Sequence, residues 1–276
     1  MPSRQPPYAP STRREIPRRI SGGCGIRCEF TAHWLRHGSG GCADMTPVRD
    51  ASGVWRVFDG IAWRYDAANT LLSMGSDRIW RRRLAGCICG SAPASVLDIA
   101  TGTGEVLMAL ARHPRRPACL AGVDMSAEML HVARRKAYGV PCLLARGDAL
   151  RLPFPGETFD AAAIAFGIRN VADPGAALGE FARVLRKDGR MAVLEFSLPE
   201  NAWLRSAYLL YFRHVLPRIG GWLAGDRAAY HYLNASVETF PFGAAFCKIM
   251  SDAGFGDVQA RPMSGGIATL YTGLRR

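Results

Sequence analysis

A chain of 276 residues with 49% apolar content can bury one sizeable core and little more. No stretch reaches the roughly 18 uninterrupted apolar residues of a membrane-spanning helix, so a soluble or peripheral protein is expected. The net charge of +12 invites an anionic partner, but only Lys136, Lys187 and Lys248 are lysines and the other basic residues are arginines, a bias that GC-rich coding produces.

Residues 1–44 are rich in Pro, Gly and Arg and show neither helix nor strand periodicity. Such a composition cannot bury enough surface to offset ordering entropy. The segment carries seven arginines against Glu15, Glu29 and Asp44, about a third of the charge excess. Cys24, Cys28, His33, His37 and Cys42 have metal-ligating side chains, yet only four residues separate Cys28 from His33, too few for a finger to fold between its ligand pairs. Two origins fit the segment: an Arg-rich, acid-poor mitochondrial presequence, or a start codon assigned too early, with Met45 as the true beginning. In either case the fold is expected as a single domain over residues 45–276. The eight cysteines form no disulfide framework and no apolar signal segment leads the chain, so reduced thiols in a cytoplasm are expected.

From Val54 the chain becomes patterned. Residues 54–90 form an aromatic-rich helical lid with Trp55, Phe58, Trp63 and Tyr65. Within it, Trp80-Arg81-Arg82-Arg83 is either a solvated helix face or a contact for lipid headgroups. A strand over 95–100 leads through Gly102-Thr103-Gly104 into a helix over 105–113. Strands over 118–125, 141–148, 159–166 and 190–197 alternate with helices over 126–137 and 174–189. Ser126 is the expected N-cap of the first of these helices, with Glu128 in its first turn. A helix over 242–254 precedes strands over 257–263 and 267–273, joined by Ser264-Gly265-Gly266 into an antiparallel edge hairpin. This alternation specifies an α/β, Rossmann-like, doubly wound sheet whose ligand lies beyond the C-terminal ends of the strands.

Those ends carry the informative side chains. Asp98 and the glycine turn close the first strand, Asp124 and Met125 the second, Asp148 and Ala149 the third. Arg169 and Asn170 end the fourth, and Glu195 lies near the end of the fifth. A Gly-rich turn followed by an acid about twenty residues on fits NAD or S-adenosylmethionine, since a carboxylate suits the ribose hydroxyls of both. Two features favour the sulfonium donor. Leu107 stands where a dinucleotide fingerprint has its third glycine, and Asp98 would repel a pyrophosphate but suits an ammonium group. The expected donor site is therefore Asp98, Gly102, Thr103, Gly104, Asp124 and Met125, with Asp148 and Ala149 at the adenine edge.

Residues 198–240 interrupt the alternation with Trp203, Tyr208, Tyr211, Phe212, Trp222, Tyr230 and Tyr232, a second lid whose aromatic content argues for a large apolar substrate. The segments "VFDGIAWRYDAANTLLSMGSDRIWRRRL", "LDIATGTGEV", "FGIRNV" and "LEFS", with the "Y-x-YL-x-x-S" box from Tyr230 to Ser236, together resemble the ubiquinone/menaquinone biosynthesis C-methyltransferase family from about Val54 to the C-terminus. The resemblance implies a class I S-adenosylmethionine-dependent methyltransferase fold, with methylation of a ring carbon on a polyprenylated quinol. It places donor contacts on Thr103, Asp124, Asp148 and Ala149. Ala165 stands where many relatives carry Ser or Gly, so a hydroxyl contact is lost there.

Carbon methylation needs an aryloxide beside the accepting carbon, and a fixed cation stabilises that charge. Arg169 suits this role because it stays charged and is no base; Asn170 can orient the hydroxyl or a water. The structural alternative pairs Arg169 with Glu195 or Asp173. Candidates for the base are Tyr65, Asp66, His214, Asp226 and Tyr232, or a water. The expected partners are a lipid-like quinol, a transient membrane surface and a second copy of the chain. Nucleic acid is not expected, because no aromatic-plus-basic strand platform is present. Methylation of another phenol, or of RNA, is the alternative activity. The expected location is the cytoplasm at the inner face of the membrane, or the mitochondrial matrix if residues 1–44 are a presequence.

Overall fold

The computed structural model describes residues 70, 73, 75–215 and 236–276. Strands that are apolar along their whole length need cover on both faces, which crossover helices provide. Here β1 (Ser95–Ile99), β2 (Cys119–Asp124), β3 (Cys142–Arg146), β4 (Phe159–Ala165) and β5 (Leu185–Phe196) run parallel. The last two strands, β6 (Phe255–Met263) and β7 (Ala268–Arg275), form the expected hairpin, with β7 antiparallel to both β5 and β6. The strand order is β3-β2-β1-β4-β5-β7-β6. Chain progression reverses between β1 and β4, which opens the ligand crevice at the ends of those two strands.

The helices are α1 (Asp77–Cys89), α2 (Glu105–Ala111), α3 (Ala127–Lys136), α4 (Pro174–Val184), α5 (Ala202–Leu210) and α6 (Ala244–Asp252). Ser126 caps α3 as expected, its Oγ accepting from the Met129 amide at 3.1 Å. Asp173 caps α4 in the same way, accepting from the Ala176 amide at 2.9 Å, with Pro174 as the first helical residue. Asp173 is therefore committed to the helix and is no partner for Arg169.

Trp80, Leu84 and Ile88 form a buried stripe along α1. Trp80 lies 6.2 Å from Phe166 and 6.1 Å from Phe196, ring to ring, and its Nε1 donates to Ser264 Oγ at 3.0 Å. The aromatic cluster pins α1 across the ends of β4 and β5, beside the crevice. The basic run thus divides: Trp80 and Arg81 are buried, while Arg82 and Arg83 face solvent.

Asp98 lies inside β1, within the expected strand, and the larger departures from the expected elements come later in the chain. Helix α4 ends at Val184, five residues before the expected Gly189, because the chain turns sharply into β5. Asp188 there has φ +60°, and Leu185 pairs with Phe159 before a register shift lets Arg190 pair with Ala161. Finally, the expected loop Ser264-Gly265-Gly266 is a single 3-10 turn. Cys87, Cys89, Cys142 and Cys247 are free thiols.

Candidate active site

At the reversal point the ends of β1 and β4 pack against each other in a strained conformation. Ala100 and Phe166, the residues just past each strand, both have left-handed backbones, with φ +49° and +57°. A Cβ on Gly167 would sit 2.8 Å from Ala100 Cβ, so only glycine allows this approach. The strain turns the loops Ala100–Gly104 and Gly167–Asn170 to face the crevice.

The side expected to take the donor is built on Asp98 and Asp124. Asp98 is 1% exposed and accepts a hydrogen bond from Thr101 Oγ1. Burial pushes its carboxyl up to about 7, although the Thr101 hydroxyl, the Leu107 amide and the Arg81 charge oppose the rise; Asp124 adds to it. Asp124 ties two loops together: its Oδ2 accepts from the Gly102 amide at 2.7 Å, and its Oδ1 from the Ser126 amide at 2.9 Å. Thr103 is buried beneath this turn. Gly104, with φ +82°, opens α2 close over Ala133. Leu107 is buried against Met108 and Ala137, the packing expected where no pyrophosphate must approach. At the far side, Asp148 Oδ1 accepts from the Leu150 amide at 2.9 Å, and Asp148 and Ala149 are half-buried. Met125 is half-buried, and its carbonyl accepts from Arg146 Nε at 2.9 Å. A buried carboxyl, a carboxylate bridging the Gly102 and Ser126 amides, and a leucine packed where a dinucleotide fingerprint has glycine fit a cationic nucleoside donor.

The side expected to take the acceptor is built on Arg169 and Glu195. Arg169 Nη1 lies 2.7 Å from Glu195 Oε1 and also donates to the Phe166 carbonyl. Both side chains are almost fully buried, at 2% and 1% exposure. The Arg169 and Phe196 amides also donate to Glu195, at 3.3 and 3.0 Å, so the carboxylate is well held. Arg169 Nε is buried with no hydrogen-bond partner among the described residues. The guanidinium packs 5.6 Å from the Phe196 ring centroid. Tyr208, buried on α5, shares this region: burial raises its phenol, Tyr211 adds to the rise and the Arg169 charge opposes it. Asn170 ends the 3-10 turn Ile168–Asn170 and is half-buried.

Of the expected base candidates, His214 is exposed on the turn that follows α5. Tyr65, Asp66, Asp226 and Tyr232 lie outside the described residues, as do residues 1–44 and most of the N-terminal lid. Sequence reasoning missed Arg81, which is buried, ion-paired to Asp77 and 5.4 Å from the Phe166 ring centroid. The signal was available: Asp77, Trp80, Arg81, Leu84, Ala85 and Ile88 fall on one helical stripe.

The pattern of the ubiE/COQ5 methyltransferase family matches residues 45–275. A ubiquinone/menaquinone biosynthesis C-methyltransferase of Syntrophotalea carbinolica is 49% identical over 223 residues, covering 79% of this chain and 92% of the relative. A demethylmenaquinone methyltransferase of Thermus thermophilus is 45% identical over 222 residues, covering 79% of this chain and all of the relative. Among solved structures, a S-adenosylmethionine-dependent methyltransferase of Thermotoga maritima, described as a possible histamine N-methyltransferase, superposes with a TM-score of 0.57 at 21% identity. It covers 81% of this chain and all of its own, and shows the class I methyltransferase fold.

Proposed function

The chain belongs to the ubiE/COQ5 methyltransferase family, and on that premise we propose that it is a S-adenosylmethionine-dependent C-methyltransferase of quinone biosynthesis. Its substrate in this proposal is a polyprenylated quinol ring: demethylmenaquinol, the equivalent ubiquinone precursor, or both. The donor supplies a methyl group already activated by its sulfonium, so the protein's work is to align the ring and raise the nucleophilicity of one carbon. Asp98, Asp124 with Met125, the turn Gly102-Thr103-Gly104, and Asp148 with Ala149 would hold the donor.

The observation that carries the acceptor reading is the buried Arg169 Nε, which has no hydrogen-bond partner among the described residues. A desolvated N–H held rigidly at the crevice is a ready donor to an oxygen that gains charge. Glu195 orients the guanidinium from the opposite edge, and Asn170 turns the ring hydroxyl or a water. Loss of the hydroxyl proton drives electron density onto the adjacent carbon. That carbon takes the methyl group while sulfur keeps the bonding pair, and loss of the ring C–H proton restores aromaticity. Tyr65, His214 and Asp226 are the candidates for the first proton acceptor, sorted by Tyr65→Phe, His214→Ala and Asp226→Asn.

No helix of the described residues is long and apolar enough to cross a membrane. A polyprenylated ring nevertheless resides in a bilayer. We place the enzyme in the cytoplasm, acting peripherally at the membrane face and open to pairing with a second copy. The exposed apolar residues Trp203, Leu204 and Leu210 on α5 support that contact.

The test supplies the full-length protein with methyl-labelled donor and short-chain demethylmenaquinone, with and without dithionite. Label entering the ring only under reducing conditions is expected. Intact donor binding with no label in either condition would overturn the demethylmenaquinol assignment and turn attention to the ubiquinone precursor and other phenols.

A further inference from the structure

The methionine end of S-adenosylmethionine is a zwitterion. Asp98 answers its ammonium, but none of the residues assigned above answers its carboxylate. An anion moved from water into a crevice needs a counter-charge and hydrogen-bond donors. One guanidinium reaches that end of the site. Arg81, on α1, is 7% exposed, whereas its neighbours Arg78, Arg82 and Arg83 all face solvent. Its Cζ lies 5.4 Å from the centroid of the Phe166 ring, at the strained end of β4. Its charge is also felt at Asp98, on the strand next to β4.

The anchoring leaves most of the guanidinium unused. Nη1 is paired with Asp77 Oδ2, and Asp77 Oδ1 accepts from Ser73 Oγ at 3.1 Å. Among the described residues no other protein group hydrogen-bonds Arg81. Asp77 and Ser73 therefore hold one edge of a planar fork, and the remaining N–H groups are left for an anion. Fork geometry matches a carboxylate with two parallel bonds, which a lysine at this position could not supply.

Taking the methyltransferase function as given, we infer that Arg81 binds the carboxylate of the donor's methionine moiety, while Asp98 binds the adjacent ammonium. Arg81 is then a donor-binding residue, and Asp77 positions it.

Calorimetric titration of the full-length protein tests this, using S-adenosylmethionine and its decarboxylated analogue, which keeps the sulfonium and ammonium but lacks the carboxylate. Wild type is expected to bind the analogue about ten- to a hundredfold more weakly, the range of a charge-assisted pair. Arg81→Met is expected to lose that factor for S-adenosylmethionine and to keep its affinity for the analogue within about threefold. Because this change strands Asp77, Arg81→Met with Asp77→Asn is measured beside it, and the same collapse of preference is expected. Equal wild-type affinity for the two ligands overturns the inference whether or not a variant folds. So does a folded variant that loses both ligands alike. A wild type that binds neither ligand overturns the methyltransferase function itself, an outcome distinct from equal binding of both.

Discussion

Asp98→Asn is expected to stabilise the donor-free protein at pH 8 while weakening its hold on the donor. Asp98 is 1% exposed, and burial moves its carboxyl from an ordinary 3.8 up to about 7 despite Thr101, Leu107 and Arg81. Between about pH 4 and 7 the folded chain keeps a proton on Asp98 that the unfolded chain has released. Stability therefore falls as pH rises through that window and levels off above about 7. Three pH units at ~1.36 kcal/mol each make the cost of the ionised side chain about 4 kcal/mol. Asparagine cannot ionise, yet it keeps an oxygen for the Thr101 hydroxyl. Urea unfolding without donor should give the variant a gain of up to about 4 kcal/mol at pH 8, shrinking towards zero near pH 4. Donor affinity of the wild type should also climb about tenfold per pH unit below about 7, and that slope should vanish in the variant. A variant destabilised equally at both pH values would refute the reasoning, because Asp98 would then be a structural acceptor and not a strained anion.

Arg169→Lys should lower turnover by about one to several orders of magnitude with donor affinity nearly unchanged. Weakened donor binding, read by calorimetry, would move Arg169 into the donor site instead. Glu195→Ala leaves the Arg169 guanidinium, 2% exposed, without its counter-charge and should cost about 3–5 kcal/mol in urea unfolding. Adding Arg169→Met should restore most of that loss. Gly104→Ala forces a side chain onto φ +82°, with its Cβ 3.2 Å from Ala133 Cβ. It should cost about 1–2 kcal/mol of stability, together with a measurable loss of donor affinity.

The glycine turn and the acids at the strand ends were legible because their signals are local. Glycine turns and acids at strand ends mark Gly102, Gly104, Asp124 and Asp148 from their spacing alone, and the structure sets Asp124 on the Gly102 amide. The surroundings of Arg169 were only partly legible. Arg169 could be named at the end of β4, but whether it pairs with Glu195 or Asp173 could not. Arg81 was hidden by its neighbours: in a run of three arginines, composition points to solvent, and only the helical stripe places one of them inside.

The sequence by itself determined the strand–helix alternation, the cap at Ser126, the antiparallel hairpin and the glycine turn, since each depends on residues within a few positions of one another. Tertiary structure alone decided that β7 inserts between β5 and β6, that Glu195 meets Arg169 from 26 residues away, and that Trp80 finds Ser264 from 184 away. It also decided the charge balance at Asp98, since burial and the approach of Arg81 on another element set that carboxyl. Periodicity and turn chemistry act along the chain, whereas desolvation and ion pairing depend on which segments the sheet brings together.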